Sequence, residues 1–363
     1  MTTFGKKCVF IIAEAGVNHN GSLDQALALV DAAAEASADA VKFQTFRPEA
    51  VISRYAAKAE YQLKTTNQSE SQLEMVKKLE LDLSAHKQLL KRCEMRHIQF
   101  LSTPFDLFSV DMLVKDLKVP RIKVASGEIT NAPLLLRVAQ SGLPVILSTG
   151  MSLLGDIEDA LGVLAYGYLQ PSEAPSVPGF RQAFMSREGQ HQLQEKVTLL
   201  HCTTEYPSPF EDVNLLAMET MARAFGLPVG LSDHTIGYCV PIAAVARGAC
   251  IIEKHFTLDR SLPGPDHKAS LEPVELSAMV TAIREVEQAI GSPRKLVATS
   301  EAKNQAIARK SLVALQPIRK GEPFTENNLG AKRPGTGIPP IRYWEFLGKT
   351  AARDYGADEF ITP

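Results

Sequence analysis

The sequence predicts a (β/α)8 TIM barrel followed by a small β-rich domain, and three observations predict it. Short β-branched runs alternate with longer amphipathic ones about eight times, the number of units at which a parallel sheet closes on itself. The strand candidates are almost continuously apolar, as expected of a sheet covered by helices. Beyond Ile290 this rhythm stops, and short strand-like pieces rich in Pro and Gly replace it.

In chain order, the strand candidates are 9–13, 40–44, 99–102, 121–125, 145–147, 197–201, 229–231 and 251–253. Helical periodicity falls between them at 23–36, 84–96, 108–114, 133–140, 157–166, 215–224, 240–247 and 273–290. Two stretches interrupt the cycle. Residues 47–81 are polar and helix-prone, and read as an insertion able to fold over the barrel mouth. Residues 167–194 carry Pro171, Pro175, Pro178 and Gly179 and read as a variable loop. Gly291, Ser292 and Pro293 stop the last barrel helix, so the expected division is a barrel over 1–290, a linker over 291–305 and a small domain over 306–363.

With 45% hydrophobic and 22% charged residues the chain has material for a full core, which excludes disorder. A formal net charge of -2 excludes a global basic surface for nucleic acid, so a charged substrate must be held by local charges. Five scattered cysteines without a CxxC pair suit reduced thiols rather than disulfides or a zinc ribbon. Lys6 and Lys7 precede an apolar run, 8–13, too short for a signal segment or a membrane span. The expectation is a cytoplasmic protein with no membrane partner.

In an α/β barrel the polar residues at the strand C-termini form the active-site mouth, and here every strand candidate ends on such residues. The first gives Glu14, Asn18 and His19; the second Lys42 and Gln44; the third Ser102 and Thr103. The fourth gives Lys123, Ser126 and Glu128; the fifth Ser148 and Thr149; the sixth His201, Thr203, Thr204 and Tyr206. The seventh gives Ser232, Asp233 and His234, and the eighth Glu253, Lys254 and His255, with Asp266 following in a PGPD turn.

A single histidine at a strand end is commonly a hydrogen-bonded structural residue. Two on neighbouring strands, His234 and His255, make half of a metal site that leaves positions for water and substrate oxygens. Such a set suits Mn²⁺ or another catalytic divalent ion better than a closed zinc site. Lys42 and Lys123 lie inside apolar strands, where an unpaired ammonium is costly. Three readings stand: an ion pair with Glu14 or Glu128, a cradle for a small dianion aided by Thr103, Ser126, Ser148 and Ser232, or a Schiff-base lysine. Gln44, Glu128, Tyr206 and Asp266 suit sugar hydroxyls, although Tyr206–Pro207 also reads as a simple turn.

The motifs AEAGVNHNG, VKFQTF, AEYQ…ESQLEMVKKLEL, STPFD, KVASGEITN, LSTGM, HCTTEYPSPFEDVNL, LSDHT, EKHFTLD and LPGPDHKASLEP together resemble the bacterial sialic acid (N-acetylneuraminate) synthase family. The tail SLVALQPIRKGEPFTENNLGAKRPGTGI resembles the antifreeze-like SAF domain, a β-clip fold, that closes those chains. The resemblance implies condensation of phosphoenolpyruvate with N-acetylmannosamine to a nine-carbon 2-keto-3-deoxy acid and phosphate. It also implies a homodimer in which each SAF domain caps the partner's barrel. By motif, His234 and His255 would bind the metal, usually Mn²⁺. Lys42, Thr103, Lys123, Ser126, Ser148, Thr204 and Ser232 would hold phosphoenolpyruvate, although some family members carry Asn where this chain has Thr204. Gln44, Glu128, Tyr206 and Asp266 would meet the sugar, with Arg333 reaching it from the other subunit, and Glu14 or Glu128 would manage protons. An alternative within the family is an N,N'-diacetyllegionaminate synthase acting on a 6-deoxy diacetamido sugar. More distant ones are a Schiff-base aldolase and, from another class, a carbohydrate- or ice-binding protein suggested by the tail.

Overall fold

The computed structural model describes residues 8–58, 63 and 70–363, which form two compact units meeting between Gly291 and Ser292. The motif AEYQ at 59–62 and the lysines Lys6 and Lys7 lie outside the described residues.

In the first unit the strands are β1 (Phe10–Gly16), β2 (Ala40–Thr45), β3 (Gln99–Pro104), β4 (Ile122–Val124), β5 (Val145–Ser148), β6 (Val197–Cys202), β7 (Val229–Asp233) and β8 (Ile251–His255). Their ladders are parallel and follow the order β3-β2-β1-β8-β7-β6-β5-β4. The three-residue β4 packs beside β3, so the sheet wraps into a near-closed barrel.

The barrel interior explains where the functional side chains fall. Side chains alternate across a strand with period two. Ile12, Ala40, Leu101, Ile146, Leu200 and Ile251 form a buried apolar cluster inside the barrel, each large member contributing about 1.5–3 kcal/mol through burial. Gly230 belongs at this level because a Cβ there would come within 2.4 Å of the Ile251 carbonyl oxygen. Two residues further along each strand the interior positions turn polar: Glu14, Lys42, Thr103, Ser148, Cys202, Ser232 and Glu253. The outward residues, such as Ile11, Val41, Phe43 and Ile252, pack under the helices in a second, larger core.

Seven of the strands run one to three residues beyond the ends of their apolar runs. For example, β8 reaches His255 and β7 reaches Asp233. Glu14, Lys42, Thr103, Ser148, Ser232, Glu253 and His255 therefore sit on strand backbone and not on loops, which fixes their direction.

The reading of 167–194 as a loop is corrected. Helices run over Val177–Met185 and Arg187–Lys196. Ser176 and Ser186 cap them by accepting from Gly179 N and Gly189 N, and Pro178 occupies the first turn, where its missing N–H costs nothing. The proline taken as a breaker is thus a helix starter. In the 47–81 insertion, short helices cover Pro48–Val51 and Gln72–Lys77.

In the second unit, helix Thr299–Ala308 occupies part of the stretch read as linker. It precedes an antiparallel pair, β9 (Ser311–Ala314) and β10 (Leu329–Lys332), in register Leu329 to Ala314. Leu312, Ile318, Phe324, Leu329, Phe346, Tyr355 and Ile361 form a separate core. Among the described residues no helix is long and apolar enough to cross a membrane, and Cys8, Cys93, Cys202 and Cys239 are free thiols.

Candidate active site

The strand ends open into a cavity of about 310 Å³ in the first unit. Its walls include Glu14, Lys42, Gln44, Thr103, Lys123, Ser126, Ser148, Thr204, Tyr206, Ser232, His234, His255 and Asp266. The structure therefore brings together thirteen of the fifteen site residues chosen from sequence. The other two lie elsewhere. Glu128 ends the turn Ser126–Glu128, half-buried, and accepts from Asn131 Nδ2 at 2.7 Å. Arg333 is exposed in the second unit and donates from Nε to the Ala308 carbonyl.

The floor is a buried charge cluster. Ladder register sets Glu14 beside Lys42 on one side and His255 on the other. Lys42 Nζ lies 2.8 Å from Glu14 Oε2 and 3.7 Å from Glu253 Oε2, and it donates to Thr103 Oγ1 at 3.0 Å. Lys123 Nζ lies 3.5 Å from Glu253 Oε1, which also accepts from Ser232 Oγ at 2.9 Å. The ion-pair reading of the lysines is thus realised with Glu14 and Glu253, within the cavity wall. Glu253 and Cys202, to which the motifs give no role, also line the cavity; stepping by two from the apolar layer, Ile251 to Glu253 and Leu200 to Cys202, points to both. Lys254, between Glu253 and His255, faces the other way and pairs with Asp233 at 2.6 Å.

Burial dominates the electrostatics of this floor. It pushes the Glu14 carboxyl up to about 7 against the pull of Lys42. Burial opposes the Lys42 ammonium too, but Glu14 and Glu253 outweigh it and raise the group above its ordinary value. At Lys123 burial prevails and lowers the pKa despite Glu253. When Glu14 is protonated, the two lysines face one carboxylate, and the floor carries a net positive charge suited to an anion.

Next to the floor lies a cradle of hydroxyls. Ser126 Oγ accepts from Gly150 N at 2.9 Å, while the buried Ser148 Oγ and Thr204 Oγ1 have no hydrogen-bond partner among the described residues. Burying a hydroxyl without a partner costs roughly 1–3 kcal/mol, and both line the cavity, where they can bond to what occupies it. A Cβ at Gly150 would fall 2.2 Å from Thr204 Oγ1 and 2.9 Å from Ser126 Oγ. The cradle therefore needs glycine at this position.

On the other side the imidazoles of His234 and His255 stand 5.4 Å apart between ring centroids. His234 Nδ1 donates to the Thr203 carbonyl at 2.6 Å, leaving Nε2 for the cavity. His255 Nδ1 is buried without a hydrogen-bond partner among the described residues and lies 4.0 Å from Asp266 Oδ2. Burial drives the His255 pKa well below normal, so this ring is a neutral donor. Burial also opposes the His234 imidazolium, but Cys202 and the Thr203 carbonyl outweigh it and raise its pKa; a cation binding Nε2 displaces that proton. Among the described residues no three His, Cys, Asp or Glu groups converge as a ligand set. The donors present fit an open two-imidazole site whose other positions belong to water and substrate. Tyr206, at a cis peptide to Pro207, sets its ring 4.2 Å from that of His234, and burial raises the Asp266 carboxyl to about 6.

Residues 29–295 match the NeuB family and residues 309–363 the SAF domain. The chain belongs to the NeuB family. This NeuB chain is 52% identical to an N,N'-diacetyllegionaminic acid synthase of Campylobacter jejuni, over 98% of this chain and 99% of that one. It is 43% identical to an N,N'-diacetyllegionaminic acid synthase of Legionella pneumophila, over 96% of this chain and 92% of the relative. A crystal structure of a sialic acid synthetase from Leptospira borgpetersenii, in complex with citrate, superposes with a TM-score of 0.66 at 34% identity, covering 83% of this NeuB chain and 91% of the other. The protein is thus an enzyme of a sialic and legionaminic acid synthase family, and the reading as a carbohydrate- or ice-binding protein is set aside.

Proposed function

We propose that this enzyme condenses phosphoenolpyruvate with a 6-deoxy-2,4-diacetamido-mannose-type sugar, giving N,N'-diacetyllegionaminate and phosphate. The observation that carries this reading is the 52% identity to a legionaminic acid synthase along nearly the whole of both chains. It favours the diacetamido sugar over N-acetylmannosamine, the aldose that the motifs alone brought forward first.

Phosphoenolpyruvate lies with its phosphate and carboxylate across Lys42, Lys123 and the hydroxyls of Thr103, Ser126, Ser148, Thr204 and Ser232. The two unpartnered hydroxyls and the glycine-dependent cradle support this placement. Gln44, Tyr206 and Asp266 meet the sugar, and Arg333 of the partner subunit reaches it in a homodimer. His234 and His255 hold a divalent ion, for which Mn²⁺ suits an open site of nitrogen donors and oxygen ligands. When bound, the ion supplies Lewis-acid polarisation of the open-chain aldehyde.

Fixing both substrates at one rim converts a bimolecular encounter into a local one, worth several kcal/mol. C3 of phosphoenolpyruvate attacks the aldehyde carbon. Lys42 and Lys123, at phosphate and carboxylate, hold the charge that redistributes as water adds at C2 and the C2–O bond to phosphate breaks. Glu14, with a carboxyl near 7, takes a proton from that water, and the oxygen of the attacked aldehyde takes one up, so that one water is consumed and a hydroxyl, the 2-keto group and phosphate result. The test is phosphate release from phosphoenolpyruvate with a panel of sugars. The diacetamido 6-deoxy sugar should exceed N-acetylmannosamine in kcat/KM at least tenfold; turnover of arabinose 5-phosphate alone would overturn the family chemistry. Borohydride trapping of a pyruvate adduct on Lys42 or Lys123 would instead establish the Schiff-base aldolase.

A further inference from the structure

The cavity has one wall that the chemistry above does not use. Val51, Ile52, Met75, Val76 and Leu79, all from the 47–81 insertion, face the same space as Lys42 and His255. Val17, Phe46 and Leu79 pack together with Val76 and Phe105 as a buried cluster at this edge. The Phe46 and Phe105 rings meet edge to face at 6.3 Å.

The charges are arranged to match. Among the described residues lining the cavity, the Lys and Arg side chains are Lys42 and Lys123, both engaged with carboxylates at the floor. Arg47, adjacent in sequence to Phe46, lays its guanidinium over the Phe108 ring, 3.1 Å from its centroid, and is not part of the lining. The polar sugar-facing groups, Gln44, Tyr206 and Asp266, are carried by β2 and by the segments after β6 and β8. A ligand filling this space meets polar groups on part of its surface and aliphatic and aromatic carbon at the insertion.

We propose that the insertion wall, through Met75, Val76 and Leu79 with Phe46, selects a sugar whose distal carbon is a methyl group, against hydroxymethyl and phosphorylated counterparts. This rests on the reading of the enzyme as a phosphoenolpyruvate-dependent synthase of diacetamido sugars, and it identifies the residues that read the sugar's far end. A hydroxyl pressed against these side chains loses water without gaining a partner. A pocket of this kind discriminates against an added hydroxyl by a factor of about 10² at most. Among the described residues of this wall no cation stands ready for a phosphate, which should be excluded more strongly.

The test measures kcat/KM with saturating phosphoenolpyruvate for 2,4-diacetamido-2,4,6-trideoxymannose, for 2,4-diacetamido-2,4-dideoxymannose and for N-acetylmannosamine 6-phosphate. The unaltered enzyme should prefer the first to the second by about 10–100-fold and should not turn over the third. Met75→Gln should reduce the preference to a few-fold while the KM for phosphoenolpyruvate stays as it was. Val76→Thr, nearly isosteric and only half-buried, makes the same comparison with little risk to folding. Equal kcat/KM for the two diacetamido sugars, or turnover of the phosphorylated one, overturns the proposed wall and leaves the synthase reading intact. Failure of both diacetamido sugars, with N-acetylmannosamine assayed alongside them and active, overturns the reading on which it rests.

Discussion

Lys42 Nζ sits 2.8 Å from Glu14 Oε2 at adjacent register positions of β1 and β2, with both side chains almost fully buried. Removing one partner of such a pair strands a charge and typically costs about 3–5 kcal/mol, so Lys42→Met should lower the melting temperature markedly as well as abolish activity. Glu14→Gln is gentler, because Lys42 keeps Thr103 and Glu253, and it isolates the proton. The folded-state pKa of Glu14 is raised from 4.5 to about 7. Over that window the native state retains a proton that the unfolded chain has lost, so this carboxyl's contribution to stability falls as pH rises. The difference in melting temperature, native minus Glu14→Gln, should therefore shrink from pH 4.5 towards pH 7.5. Any break in the kcat/KM profile near pH 7 should disappear in the same variant; a break that persists removes Glu14 from proton transfer.

Gly150→Ala tests the anion cradle. The added carbon would fall within 2.2 Å of Thr204 Oγ1, so the cradle must open. The KM for phosphoenolpyruvate should rise at least tenfold while the KM for the sugar changes little. Gly155→Ala serves as the control: nothing lies within 4 Å of its added carbon, and alanine near the start of helix Leu154–Leu169 should stabilise by about 0.5–1 kcal/mol. Steady-state kinetics and thermal melts distinguish the two.

Much of this arrangement is legible before any coordinates, because strand period and apolar run length are local properties. Glu14, His234 and His255 stand where apolar runs stop, and stopping there is itself the signal, while Lys42 shows as an ammonium inside such a run. Glu253 is visible as a strand-end residue but takes no role from the motifs, because sequence does not say which of Glu253 and Lys254 points inward; the level of the Ile251 layer decides it. Pro178 misled because its value as a helix starter depends on Ser176 being free to cap, a three-dimensional fact. The apolar wall escaped for a related reason. Met75 and Leu79 follow the ordinary periodicity of a helix that covers something, and sequence does not say whether the covered object is core or substrate.

Metal removal should silence the enzyme. Chelation is expected to abolish phosphate release and added Mn²⁺ to restore it. His234→Ala, which removes one of the two imidazoles together with its bond to the Thr203 carbonyl, should weaken Mn²⁺ binding in a calorimetric titration by about 10²-fold or more. Phosphoenolpyruvate binding without metal should persist, since its lysines and hydroxyls are other residues. A His234→Ala enzyme with undiminished metal affinity would return both histidines to the structural reading.

Arg333 provides a test of subunit exchange that needs no new structure. It is exposed, and its Nε is held by the Ala308 carbonyl at the end of helix Thr299–Ala308, so its guanidinium is oriented by its own unit. If each barrel uses Arg333 of the partner subunit, Arg333→Ala and His234→Ala each inactivate a homodimer. In a mixed dimer, one barrel keeps its histidines and receives an intact arginine. Refolding the two inactive variants together in equal amounts should make half of the dimers mixed, each with one working site of two, and so regain roughly a quarter of the native rate. An arginine acting within its own chain gives no such recovery, because every chain in the mixture then lacks one of the two residues. Phosphate release from the mixture, compared with each variant refolded alone, reads the difference directly.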